Sequence, residues 1–135
     1  MSRFKFAGML AFALATAACS NNTTTSPTPT TSTTVTDTFN GTLNKNGASS
    51  FPFSVSAAGY VYATLTSVAD GTTAVGLSLG AWNGTSCTTV LSNDAAAQGT
   101  TITGSATGVG TLCARVYDVG KVVDPLDYQI TVVHP

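Results

Sequence analysis

Acid–base and nucleophilic chemistry need a titratable group held beside a reacting hydroxyl, thiol or water, and this chain of 135 residues offers few such groups. It has one histidine, His134, the next-to-last residue, and no glutamate at all. Chain ends fray, so His134 is expected to be an uncommitted terminal side chain, and no Ser/His/Asp arrangement is expected around it. The six carboxylates are Asp37, Asp70, Asp94, Asp118, Asp124 and Asp127. They fall at strand ends or in loops, where aspartate ordinarily caps backbone N–H groups. No two of them read as the paired carboxylates of glycoside hydrolysis. The chain is expected to be non-catalytic and to use no cofactor.

Binding chemistry is better represented. Asp118, Asp124 and Asp127 share one connection, and together with loop carbonyls they are the hard oxygen ligands that calcium takes. The simpler reading is a solvated loop with Lys121 among the carboxylates. Zinc does not fit, because Cys87 and Cys113 have neither CxxC spacing nor a histidine nearby. Trp82, Tyr60, Tyr62 and Tyr117 are candidate ligand contacts, since aromatic rings stack on sugars and seed protein interfaces. Trp82 adjoins an Asn-Gly turn, so it either contacts a ligand or covers the open end of a core.

Charged residues are 8% of the chain, against about 25% in ordinary soluble proteins. Its 25 threonines must therefore supply much of its contact with water. Two of the five cations, Arg3 and Lys5, precede an apolar run from Phe6 to Ala18. A run of this kind is an export signal, too short to span a bilayer permanently. Without it only Lys45, Arg115 and Lys121 remain, too few for nucleic acid, whose binding needs several cations set against phosphates.

Residues Thr16-Ala17-Ala18-Cys19 resemble the lipobox of bacterial lipoproteins, whose cysteine is lipidated and becomes the first residue of the mature chain. Ordinary cleavage near Ala18, leaving a soluble secreted chain, is the alternative. Cysteine number favours the lipid, since three cysteines leave one unpaired in an oxidising compartment. The resemblance implies a bacterial envelope location with the membrane as a partner through acyl chains. Ser20 stands where an aspartate usually retains such proteins in the inner membrane, so the outer membrane is expected.

Residues 19–36 form the tether: after Cys19 the sequence reads SNNTTTSPTPTTSTTVT, with Val35 its one apolar residue other than proline. It has nothing to bury and is expected to be extended or disordered. Residues 1–18 are then the signal and residues 37–135 the folded domain. Once Cys19 is acylated, Cys87 and Cys113 are expected to form a disulfide, worth about 3 to 4 kcal/mol for a loop of that size; buried free thiols are the alternative.

Alternation of apolar with small polar residues, separated by turn formers such as Asn44-Lys45-Asn46-Gly47 and Gly108-Val109-Gly110, marks eight strands. They cover residues 37–43, 51–56, 60–67, 74–80, 86–91, 100–106, 111–118 and 126–133. Residues 93–98 read as a loop containing a helical turn. Val61, Ala63 and Leu65 share one face of their strand, as do Val75, Leu77 and Leu79 in the next, while Tyr60, Tyr62, Thr64 and Thr66 take the other side. Two sheets, each with one apolar face, make an all-β fold, a single small sandwich of jelly-roll type. Cys113 alternates with Leu112, Ala114 and Val116. Either the disulfide lies outside the main core, or Cys113 and Tyr117 are the residues that point inward.

The run Gly110-Thr111-Leu112-Cys113-Ala114-Arg115-Val116-Tyr117, followed by Tyr128-Gln129-Ile130-Thr131-Val132, resembles the end of the bacterial prepeptidase C-terminal domain family. Residues 51–66, with their Ala57-Ala58-Gly59 turn, are similar to its opening. The resemblance implies a small jelly-roll sandwich of the kind appended to secreted peptidases, where it aids secretion, substrate attachment or calcium-dependent stability. No catalytic domain is read in these residues, so a peptidase role is not expected. The expected function is a non-catalytic envelope lipoprotein acting as a binding or structural accessory subunit for another envelope protein. A carbohydrate-binding or adhesive module, with polysaccharide as partner, and a calcium-stabilised secretion or substrate-attachment domain are the alternatives.

Overall fold

Eight strands account for about two thirds of residues 33–135, the part of the chain that the computed structural model describes. The export segment, Cys19 and residues 20–32 lie outside the described residues. In chain order the strands are β1 (Val35–Leu43), β2 (Ala48–Val55), β3 (Gly59–Val68), β4 (Val75–Trp82), β5 (Cys87–Ala96), β6 (Thr101–Ala106), β7 (Gly110–Tyr117) and β8 (Leu126–His134). They form two antiparallel sheets, ordered β1-β8-β3-β6 and β2-β7-β4-β5. This is the strand order of an eight-stranded jelly roll, packed as a sandwich.

Period-two alternation decides which side chains enter the core. Val61, Ala63 and Leu65 from β3, Val75 and Leu77 from β4, Ala114 and Val116 from β7, and Ile130 and Val132 from β8 are all buried. Tyr60, Tyr62 and Thr66 face solvent, as expected. The edge where β1 meets β2 is filled by aromatics: Phe39 stacks on Phe51 with centroids 5.0 Å apart, and Tyr128 meets Phe51 edge-on.

Several boundaries differ from the sequence reading: β2 begins at Ala48, paired with Tyr117, and not at Phe51, and β4 ends at Trp82 and not at Gly80. β1 begins at Val35, because Val35 and Thr36 pair with His134 and Val133. β5 runs on through Ala96 where a loop with a helical turn was expected: Asn93 pairs with Leu77 and Ala96 with Val75. Ladder bonds to β4 and burial of Ala96 override the turn preference of Asn93-Asp94.

His134 is the clearest correction. It continues the inward series Tyr128, Ile130, Val132 and is 2% exposed. Its Nε2 lies 3.1 Å from Asp37 Oδ2, and its ring lies 4.9 Å from that of Phe53. The backbone N–H of Ser56 donates to the Pro135 oxygen at 3.0 Å, so the chain end is fastened rather than frayed.

Candidate functional site

At the opposite edge, where β5 lies over β6, no aromatic side chain among the described residues fills the gap between the sheets. Gly104 of β6 stands there without a side chain, where even a Cβ would fall 3.2 Å from Leu91 and 3.4 Å from Leu79, closer than ordinary contact. The result is a cleft of about 390 Å³, walled by Val61, Leu79, Leu91 and Leu112. Tyr60 and Val90 stand at its rim, 69% and 75% exposed. A contiguous apolar surface beside two sheet edges is suited to receiving apolar side chains of another molecule.

Val90 points outward at a bulge close to the disulfide. Cys87 and Cys113 are bonded, with Cα atoms 5.8 Å apart, although β4 separates β5 from β7. Strands two positions apart in a flat sheet would be about 9.5 Å apart. The start of β5 therefore crosses the outer face of β4. It does so at Gly80, where a Cβ would fall 2.1 Å from the Thr88 carbonyl oxygen. The extra length appears as a bulge: Leu79 pairs with Leu91 and Gly80 with Thr89, leaving Val90 between them. Cys113 lies on the outward face, outside the main core, yet it is fully buried beneath this crossing.

The candidate aromatics divide between two faces. Tyr60 and Tyr62 adjoin on the outer face of β3, with centroids 6.2 Å apart and planes tilted by 40°. Tyr117 lies on the outer face of the other sheet, where its ring occupies the space above Gly76. Its hydroxyl donates to Asp94, and the Arg115 guanidinium sits 5.3 Å from its centroid. Burial, followed by that bond to Asp94, pushes the Tyr117 hydroxyl above its ordinary pKa. Tyr117 is thus committed to holding β7 against β5. Trp82 is half-buried and outside the core cluster, so it does not cover the end of the core. It shares a recess with Arg115 and Cys87.

Asp118, Asp124 and Asp127 do not converge. Asp118 accepts the backbone N–H groups of Gly120, Lys121 and Val122 on one oxygen and that of Asn46 on the other, all within 3.0 Å. These bonds, Asn46 first, lower its pKa to about 2. They staple the β1–β2 turn to the β7–β8 connection. Asp127 accepts the Thr42 hydroxyl on the outer face of the first sheet. Among the described residues no three His, Cys, Asp or Glu side chains gather where they would hold a metal ion.

The rim residue Val90 and the Gly104 gap were not singled out from sequence. The available signal was the Val90-Leu91 pair, two apolar residues in succession inside an otherwise polar strand, which is how a bulge reads. Compared with known protein families the chain matches none, and a search of curated proteins finds no match.

Proposed function

We propose that this chain is a non-catalytic bacterial envelope lipoprotein, anchored through lipidated Cys19. Its disulfide-braced sandwich acts as a binding accessory subunit for another envelope protein. The observation that carries this role is the apolar cleft between β5 and β6, rimmed by exposed Val90 and Tyr60. Burial of apolar surface contributes about 25 cal/mol per Å², and exposed apolar side chains clustered at a sheet edge are costly to leave unpartnered. The chain's single histidine is committed to Asp37 and Pro135 and not to a nucleophile. That arrangement suits a binding role.

The test is mild crosslinking of intact envelopes followed by recovery of the protein through a tag inserted in the tether, since the C-terminus is buried. A discrete adduct in the wild type that disappears in Val90→Asp is expected. The absence of any adduct, or an adduct that Val90→Asp leaves unchanged, would overturn the assignment.

A further inference from the structure

The outer face of the β1-β8-β3-β6 sheet carries a second feature, which does not depend on the Val90 rim. Tyr60, Tyr62, Thr64 and Thr66 follow one another along β3, a span of about 20 Å at about 3.3 Å per residue. On one side Ser105, Thr103 and Thr101 of β6 stand opposite Tyr60, Tyr62 and Thr64. On the other, Val133 and Thr131 of β8 stand opposite Tyr62 and Thr64. The Thr64 and Thr101 hydroxyls are 2.7 Å apart. A row of four threonines, Thr38, Thr131, Thr64 and Thr101, crosses the whole sheet in register.

Strand propensity accounts for the threonines. It admits the tyrosines as well, but it does not account for the absence of charge around an exposed, adjoining pair. Sheet edges and solvent faces ordinarily carry Lys or Glu. Among the described residues, charged side chains lie elsewhere. Lys45, Asp70, Asp118, Lys121 and Asp124 are in connections, while Asp94 and Arg115 are on the other sheet. Asp37 meets His134, and Asp127 is at the far end of the face, held by Thr42.

An ionic ligand finds no counter-charge along this track, and a purely apolar one would bury the hydroxyls without partners. A neutral polysaccharide matches all of it. The C–H faces of its pyranose rings stack on aromatic rings, and its hydroxyls exchange hydrogen bonds with Thr and Ser on both sides. The two rings, centred 6.2 Å apart and tilted by 40°, offer two adjoining faces along the strand on which sugar units would stack. We infer that the β3 track binds an uncharged β-linked glycan chain lying along the strand. Its sugar rings rest on Tyr60 and Tyr62, and its hydroxyls meet β6 and β8. Tyr60 borders both this track and the apolar cleft; Tyr62 borders the track and does not line the cleft. The two surfaces can therefore fail separately.

The experiment uses the full chain in detergent micelles, with retention on insoluble cellulose and on an alginate gel as the readouts. Wild type should be retained on cellulose and not on alginate. Tyr60→Ala/Tyr62→Ala should weaken cellulose binding about tenfold, the equivalent of about 1.4 kcal/mol, with unchanged melting. Tyr62→Phe, which keeps the stacking ring, should bind as wild type, and so should Val90→Asp, which disables the cleft. No retention on cellulose, retention unaffected by the double substitution, equal retention on alginate, or loss of binding in Val90→Asp would each overturn the assignment.

Discussion

Removing the Cys87–Cys113 bridge perturbs a strand crossing and leaves the core cluster intact. The cysteines are 26 residues apart, and the chain-entropy relation gives about 3.5 kcal/mol for closing a loop of that length. Freeing the start of β5 uncovers Gly80 and position 113, which bring little apolar area to water, so loop entropy dominates the loss. A small domain has a total stability of about 5 to 15 kcal/mol. The Cys87→Ala/Cys113→Ala variant should therefore stay folded but become much easier to unfold. With a urea slope of about 1.5 kcal/mol per molar, the midpoint should fall by about 2 M. Far-UV circular dichroism reports the sandwich, while Trp82, the chain's single tryptophan and the cross-strand partner of Cys87, reports the crossing. In the variant the Trp82 signal should change before the sheet signal, whereas in the oxidised protein the two should coincide. A loss of about 1 kcal/mol or less would refute the loop-closure account. A variant already unfolded without urea would show that the bridge holds the core itself.

Intact-mass analysis of the mature protein should find a diacylglyceryl-type addition on a chain beginning at Cys19; a free N-terminus elsewhere without lipid mass would refute the anchor. Deleting residues 20–32 should leave the melting temperature unchanged, whereas extending the deletion through Thr36 should lower it, because Val35 and Thr36 are part of β1. His134→Ala should cost about 2 to 4 kcal/mol in a urea melt, and His134→Phe should recover more than half of that by keeping the stack on Phe53; a near-wild-type His134→Ala would contradict the burial argument. The pKa of Asp118 is lowered from 3.8 to about 2 in the fold, so its contribution is present above its unfolded value and lost as pH falls through that window. Asp118→Asn should lower the melting temperature at neutral pH and flatten the acid decline between pH 4 and 2; parallel acid profiles would refute this.

The fold was legible because burial at each strand follows a period of two. All eight strands, the inward faces of β3 and β4, and the pairing of Cys87 with Cys113 follow from residue types and spacing. Where the reading failed, a tertiary partner outweighed a local tendency. Asn93-Asp94 favours a turn, but β4 supplies a ladder for it. His134 sits at a chain end, but its parity with Ile130 and Val132 already pointed it inward. The path of the disulfide was hidden for another reason: alternation put Cys113 on the outer face, and only the crossing at Gly80 shows how an outward cysteine becomes fully buried. The cleft was invisible because it depends on which strands end up at the sheet edges. Alternation fixes faces, not strand order.

The most direct test of the proposed accessory role is site-resolved photocrosslinking in living cells. A photoreactive residue is placed in turn at Val90, at the cleft rim; at Thr38, on the opposite sheet edge; and at Val123, in the β7–β8 connection. The docking account predicts one discrete protein adduct from position 90 and none from positions 38 or 123. The same adduct from all three positions, or none from position 90 while another position yields one, would contradict it.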